Sequence, residues 1–214
     1  MPWFIWVLAL AAAAAALSFL IWRLASRRRS LPCPAFLRWF VELENPFARS
    51  NRSSFIVSHL DIKPGMRVAD VGCGPGRVTI PLARAVGPGG SVLALDMQQG
   101  MLDRVRAKAQ AAGLSNIEFV RAGIGEGKLG SGQLDRVVLA AVLGEIPDRA
   151  AALKEIYGAL KPGGLLGIAE LIFDPHFQRC SVVEKLAKEA GFGGQAVYGP
   201  GWAYLVALGK SCHD

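Results

Sequence analysis

From Met66 onward the chain alternates short apolar runs with longer amphipathic ones, and few folds satisfy that alternation. The runs at 67–71, 91–95, 117–120, 134–140 and 165–171 read as strands. Between them 77–85, 101–112 and 150–160 read as helices, the second stopped by Gly113 and the third capped by Asp148. Strand and helix in turn give an α/β domain with a mostly parallel sheet and helices on both faces. Ligands of such sheets bind beyond the carboxyl ends of the strands, at the switch point beside the first strand.

The first strand ends in Val68-Ala-Asp-Val-Gly-Cys-Gly-Pro-Gly-Arg-Val, so Asp70 is followed by Gly72, Gly74 and Gly76. Glycines at these places permit a tight turn and let a ligand approach the backbone with no Cβ in the way. A nucleotide-like ligand is implied. The dehydrogenase pattern G-x-G-x-x-G would put its third glycine at Arg77, whereas this chain has Gly76. Asp96 closes the second strand, where a carboxylate can accept both hydroxyl hydrogens of an adenosine ribose; the other reading is a helix N-cap. Leu160-Lys-Pro-Gly-Gly-Leu reads as a turn entering the fifth strand.

Composition matters most at the amino end. Hydrophobic residues make up 52% of the 214, mean hydropathy is +0.32, and residues 3–22 contain no charged side chain. At about 1.5 Å rise per residue that run matches a hydrocarbon core of about 30 Å, so a transmembrane anchor at 1–24 is expected. Arg23, Arg27, Arg28 and Arg29 follow it and would leave the rest of the chain on the cytoplasmic side. A cleaved signal peptide is the rival, but it wants its positive charge before the apolar run. The net charge of +7 then points to a membrane partner contacted through residues 3–22 rather than to nucleic acid. Residues 25–60 read as juxtamembrane helices: Phe36, Leu37, Trp39, Phe40, Val41 and Leu43 form an apolar face for the bilayer or for the domain, and 49–60 forms a helix able to cover a pocket. The catalytic unit is then 61–214. The four cysteines, Cys33, Cys73, Cys180 and Cys212, lie far apart and support neither a metal site nor a disulfide framework, and Cys73 reads as a small packing residue of the loop.

Taken together, Asp70-Val-Gly-Cys-Gly-Pro-Gly, Ala94-Leu-Asp-Met, Leu134-Asp-Arg-Val-Val-Leu and Leu160-Lys-Pro-Gly-Gly make 50–210 resemble the class I S-adenosylmethionine-dependent methyltransferases. The resemblance implies a Rossmann-like seven-stranded sheet whose last strand is antiparallel, with 195–198 and 203–208 as the final pair. It implies S-adenosylmethionine as cofactor, with Asp70, Gly72, Cys73 and Gly74 beside its methionine part, Asp96 on the ribose and Met97 against the adenine. The third motif departs from the pattern. Where many relatives carry an acidic residue for the adenine amino group this chain has Gly123, followed by Ile124, and backbone alone or Glu126 would serve there. After the fourth strand, Val142-Leu-Gly-Glu-Ile-Pro has Gly144 where relatives often place a histidine.

Glu145 and His176 are the candidates for a catalytic base, each with a plainer reading, as a helix-entry carboxylate and a surface loop residue. Methyl transfer from an already activated sulfonium draws much of its rate from in-line positioning, so a base is not obligatory. The expected activity is methyl transfer to a small lipophilic acceptor: a lipid head group, a quinone or a hydrophobic thiol. Two other classes remain, a nicotinamide-dependent oxidoreductase and a membrane-anchored binding or scaffold protein without turnover.

Overall fold

A computed structural model describes residues 2–29, 44 and 47–212. Helix α1 spans Trp3–Arg29, a 3-10 turn Arg49–Asn51 and helix α2, Ser53–His59, come next, and the α/β unit follows. Its strands are β1 (Arg67–Val71), β2 (Ser91–Asp96), β3 (Ile117–Arg121), β4 (Leu134–Ala140), β5 (Leu160–Leu171), β6 (Gly193–Tyr198) and β7 (Ala203–Gly209). Its helices are α3 (Thr79–Val86), α4 (Gln99–Ala111), α5 (Arg149–Ala159) and α6 (Cys180–Glu189), with a 3-10 turn Leu143–Glu145 after β4.

The seven strands form one sheet in the order β3-β2-β1-β4-β5-β7-β6, and β7 alone runs antiparallel. Because β1, β2 and β4 pair on both sides and carry helices on both faces, most of their residues are buried, which is why they read as largely apolar runs. Side chains alternate between the two faces. Ala69, Val71, Val137 and Leu139 meet Leu153 and Ile156 of α5 and Val183 of α6; Val68 and Val138 meet Ile56, Leu60, Leu82 and Val86 on the α2 and α3 side. The α5 N-terminus is capped as expected, with Asp148 Oδ1 accepting from the Ala151 N–H at 2.9 Å.

Three local expectations shift. The helix expected over 49–60 breaks at Arg52, which is extended (ψ 143°), and the Glu44 carboxylate accepts the N–H of Ser53 at 3.1 Å where α2 begins. That segment is core rather than a cover, since Ile56 and Leu60 are fully buried and a Cβ on Gly167 of β5 would collide with Leu60. The turn at Lys161-Pro-Gly-Gly proves to be an irregularity within β5. Leu160 already pairs with Leu134, and pairing resumes only at Arg136 with Leu165.

The expected membrane anchor is corrected. Among the described residues, no helix is long and apolar enough to cross a membrane. The tract 3–22 does fall within α1, which ends among arginines. The transmembrane helix, the membrane as partner through residues 3–22 and the single-pass, cytoplasm-facing placement are withdrawn with it. The apolar face expected over 36–43 lies outside the described residues.

Leu60→Ala is expected to destabilise the domain by about 2–5 kcal/mol, the cost of a cavity between α2 and the sheet, read by denaturant unfolding. A cost under about 0.5 kcal/mol, typical of surface changes, would return this segment to the role of a loose cover.

Candidate active site

The carboxyl ends of β1 to β5 emerge on one edge of the sheet, and the loops that leave them carry most of the polar side chains singled out above. β1 runs out at Val71 into the glycine loop. Gly72, Gly74 and Gly76 take φ of 67°, 51° and 86°, where any Cβ is strained. Gly72 is constrained twice, because a Cβ there would lie 2.6 Å from Val142 Cγ1 in the segment after β4. The neighbouring strand pins the loop: the Leu95 carbonyl accepts the N–H of Gly72 (2.7 Å) and of Cys73 (3.0 Å).

Asp96, at the end of β2, completes that attachment. Its Oδ2 accepts the Gly74 N–H at 2.9 Å and its Oδ1 accepts the Gln98 N–H at 2.8 Å. Burial raises its carboxyl above the usual range, the two backbone N–H groups oppose this, and the charge of Glu145 pushes it further up. About two of a carboxylate's roughly four acceptor sites are thereby used, so capacity remains for two hydroxyl donors, the number a ribose diol offers. With the bare glycine backbone beside it, the strand end fits an adenosine-bearing cofactor.

Asp70 lies deeper. It is 2% exposed, and its Oδ2 accepts from the Thr79 hydroxyl at 2.6 Å, so it braces the start of α3 under the loop. Burial raises its pKa to about 6, against the opposing effects of the Thr79 bond and the Arg77 charge. Cys73 is buried among Ala94, Leu102 and Val105, and desolvation first, then the charges of Asp70 and Asp96, push its thiol far up; it packs and is no nucleophile. Arg77, just past the loop, was not singled out from sequence. Its guanidinium is largely buried and donates to the Asn51 carbonyl at 2.6 Å and to Asn51 Oδ1 at 3.2 Å, clamping the segment before α2 onto the loop. A charged residue directly after a loop that folds inward was the available signal.

Met97, 58% exposed, follows Asp96 on the rim. Gly123 stands beyond β3, where its N–H donates to Glu126 Oε1 at 3.0 Å, so Glu126 folds back onto the position that lacks a side chain; Ile124 is partly buried against the main core. Glu145 and His176 approach each other, with His176 Nδ1 3.6 Å from Glu145 Oε1 and 3.8 Å from Asp174 Oδ1. His176 is buried rather than a surface loop residue. Behind them Glu170, 1% exposed near the end of β5, accepts the Gln178 N–H through Oε2 at 3.0 Å, and its Oε1 has no hydrogen-bond partner among the described residues. Burial raises its pKa to about 8, helped by the charges of Asp174 and Glu145 and opposed by the Gln178 N–H and Arg149. Glu170 too escaped the sequence, where it reads only as the polar end of a strand.

Residues 68–164 match the family model of a methyltransferase domain. The demethylmenaquinone methyltransferase of Bacillus cytotoxicus is 38% identical over 105 residues, 49% of this chain and 44% of that protein. That of Lactococcus lactis is 37% identical over 100 residues, 47% of this chain and 40% of that protein. The chain thus spans less than half the length of these curated relatives. Among solved structures, a SAM-dependent methyltransferase from Aquifex aeolicus superposes with a TM-score of 0.73 at 21% identity, over 83% of this chain and 98% of that one. Residues 68–164 are thus similar to a methyltransferase domain, and the fold of the chain is that of the Aquifex aeolicus enzyme.

The buried carboxyl of Glu170 gives a pH signature. A carboxyl raised in the folded state contributes stability that is fully present below its unfolded pKa, near 4.5, and is lost as pH rises through about 8. Glu170→Gln is therefore expected to melt higher than the parent at pH 8.5, with the advantage gone by pH 4.5. Equal melting temperatures across that range would show that Glu170 is ionised at no cost.

Proposed function

We propose that the chain is an S-adenosylmethionine-dependent methyltransferase acting on a small lipophilic acceptor of quinone type. The observation that carries the proposal is Asp96, a carboxylate at the end of β2 oriented by one N–H from the glycine loop and one from its own turn. When bound, S-adenosylmethionine supplies a methyl group on a positively charged sulfur, activated for displacement. The chain's own contribution is to hold and orient: the bare backbone of Gly72 and Gly74 would accommodate the methionine part, Asp96 would accept hydrogen bonds from the ribose hydroxyls, and Met97 would flank the adenine. At Gly123 and Ile124, backbone and the folded-back Glu126 serve where an acidic residue is missing.

The acceptor class is supported from two sides. Relatives of this domain are named demethylmenaquinone methyltransferases, whose names specify a quinone ring. Beside the acceptor end of the site Ile172 is 40%, Phe173 61% and Trp202 39% exposed, and the Ile172 N–H donates to the Trp202 carbonyl at 2.8 Å. Large apolar side chains gathered at one strand end give a lipophilic body a place to lie against. Lipid head groups would leave that lip without a use. A small hydrophobic thiol would use less of it.

Calorimetric titration with S-adenosylhomocysteine tests the reading. Asp96→Ala is expected to weaken binding by at least about 100-fold, since each hydrogen bond to a charged acceptor contributes roughly 1.5–3 kcal/mol and two are lost. A folded parent protein that binds neither S-adenosylhomocysteine nor S-adenosylmethionine would point to a scaffold without turnover, and binding of NADH alone would assign the site to a nicotinamide enzyme.

A further inference from the structure

Glu145 closes the 3-10 turn that follows β4, and His176 sits in the loop that follows β5; the chain brings the two together by several separate devices. A Cβ on Gly144 would lie 2.7 Å from His176 Cβ and closer still to the His176 carbonyl, so the loop after β5 rests on the bare backbone of that glycine. The φ of Gly144 is not positive, which makes the need for glycine steric and not conformational. Arg149 holds the turn from below, donating from Nε to the Leu143 carbonyl and from Nη2 to the Gly144 carbonyl, each at 3.0 Å. On the other side Asp174 Oδ1 accepts the His176 N–H at 2.7 Å, and Gln178 donates from Nε2 to the His176 carbonyl at 2.6 Å. Gln178 is itself anchored to Glu170 through its own N–H.

The two side chains differ in reach. Glu145 is 23% exposed, and its charge helps raise the Asp96 carboxyl. The His176 side chain is 4% exposed and is covered by its neighbours. We propose that Glu145 takes the acceptor's proton and that His176 is its positioning residue, the two acting as one carboxylate–imidazole unit assembled across the β4 and β5 loops. The proposal rests on the methyltransferase reading above. In the step, a hydroxyl O–H bond of the acceptor breaks, its hydrogen forms an O–H bond on Glu145, and the electron pair left on that oxygen attacks the methyl group directly or through the conjugated ring carbon. Glu145 from the β4 turn and Asp174 from its own loop face the imidazole, and Glu170 from β5 and Arg149 from α5 belong to the same charge cluster through those two carboxylates.

The test begins with an NMR titration of the full chain without cofactor, the His176 signal being identified by its loss in His176→Gln. Glu145→Gln is expected to lower the His176 imidazole pKa by about one unit, since an opposite charge in ion-pair range has been removed; an unchanged titration overturns the unit. The second arm is kinetic, with a soluble naphthoquinol as acceptor. Glu145→Gln is expected to lower kcat by roughly 100-fold, within the range for a lost general base, with acceptor KM little changed and partial recovery in Glu145→Asp. His176→Gln is expected to lower kcat less and to shift the acidic limb of its pH profile. A rise in KM alone, or a profile that His176→Gln leaves unmoved, contradicts the proposal. Binding of S-adenosylhomocysteine separates the two levels: retained binding with no imidazole shift rejects only the unit, whereas no binding by the parent protein rejects the methyltransferase reading beneath it.

Discussion

The Asp96 carboxylate fastens the glycine loop to the second strand, and the site is arranged around that attachment. One of its oxygens takes the Gly74 N–H and the other the Gln98 N–H, while the Leu95 carbonyl takes two further N–H groups of the loop. Hydrogen bonds to a charged acceptor each contribute roughly 1.5–3 kcal/mol, enough to hold three successive positive-φ glycines in one conformation. The cost is a carboxylate withdrawn from water at a strand end, and the raised pKa of Asp96 records it. Removing Cβ atoms from the loop and supplying a fixed carboxylate at its side create together the surface that an adenosine-bearing cofactor needs.

Asp96 is one of several acidic groups concentrated at this edge. Asp70, with a pKa near 6, lies beneath the loop, and Glu170, near 8, lies near the end of β5, while Asp174 and Glu145 face His176 from the β5 and β4 loops. Carboxyls desolvated side by side oppose folding at neutral pH, and their collection at one end of a sheet marks where stability has been exchanged for chemistry. Arg77 and Arg149 answer them at the two sides, each tying a neighbouring segment to the site through backbone carbonyls.

Much of this was legible in the sequence, for identifiable reasons. Strands buried on both faces carry largely apolar runs, so β1, β2 and β4 announced themselves, and Gly113 and Asp148 marked helix ends by local backbone chemistry. What escaped depends on contacts between distant segments. The break at Arg52 accompanies a carboxylate eight residues back at Glu44, the clamp from Arg77 depends on Asn51, and the approach of His176 to Glu145 depends on a missing Cβ at Gly144. The amino-terminal tract was read from its freedom from charge, which a bilayer span needs but which does not by itself establish one.

Backbone hydrogen–deuterium exchange of the full chain, with and without saturating S-adenosylhomocysteine, tests the central claim most directly. The expected result is new protection confined to the strand-end loops, at 72–76, at 96–98 and around 123–124, with the opposite edge of the sheet unchanged. Protection confined instead to α6 and the start of β6, or no change in a protein shown to be folded, would contradict the assignment of this edge as the cofactor site.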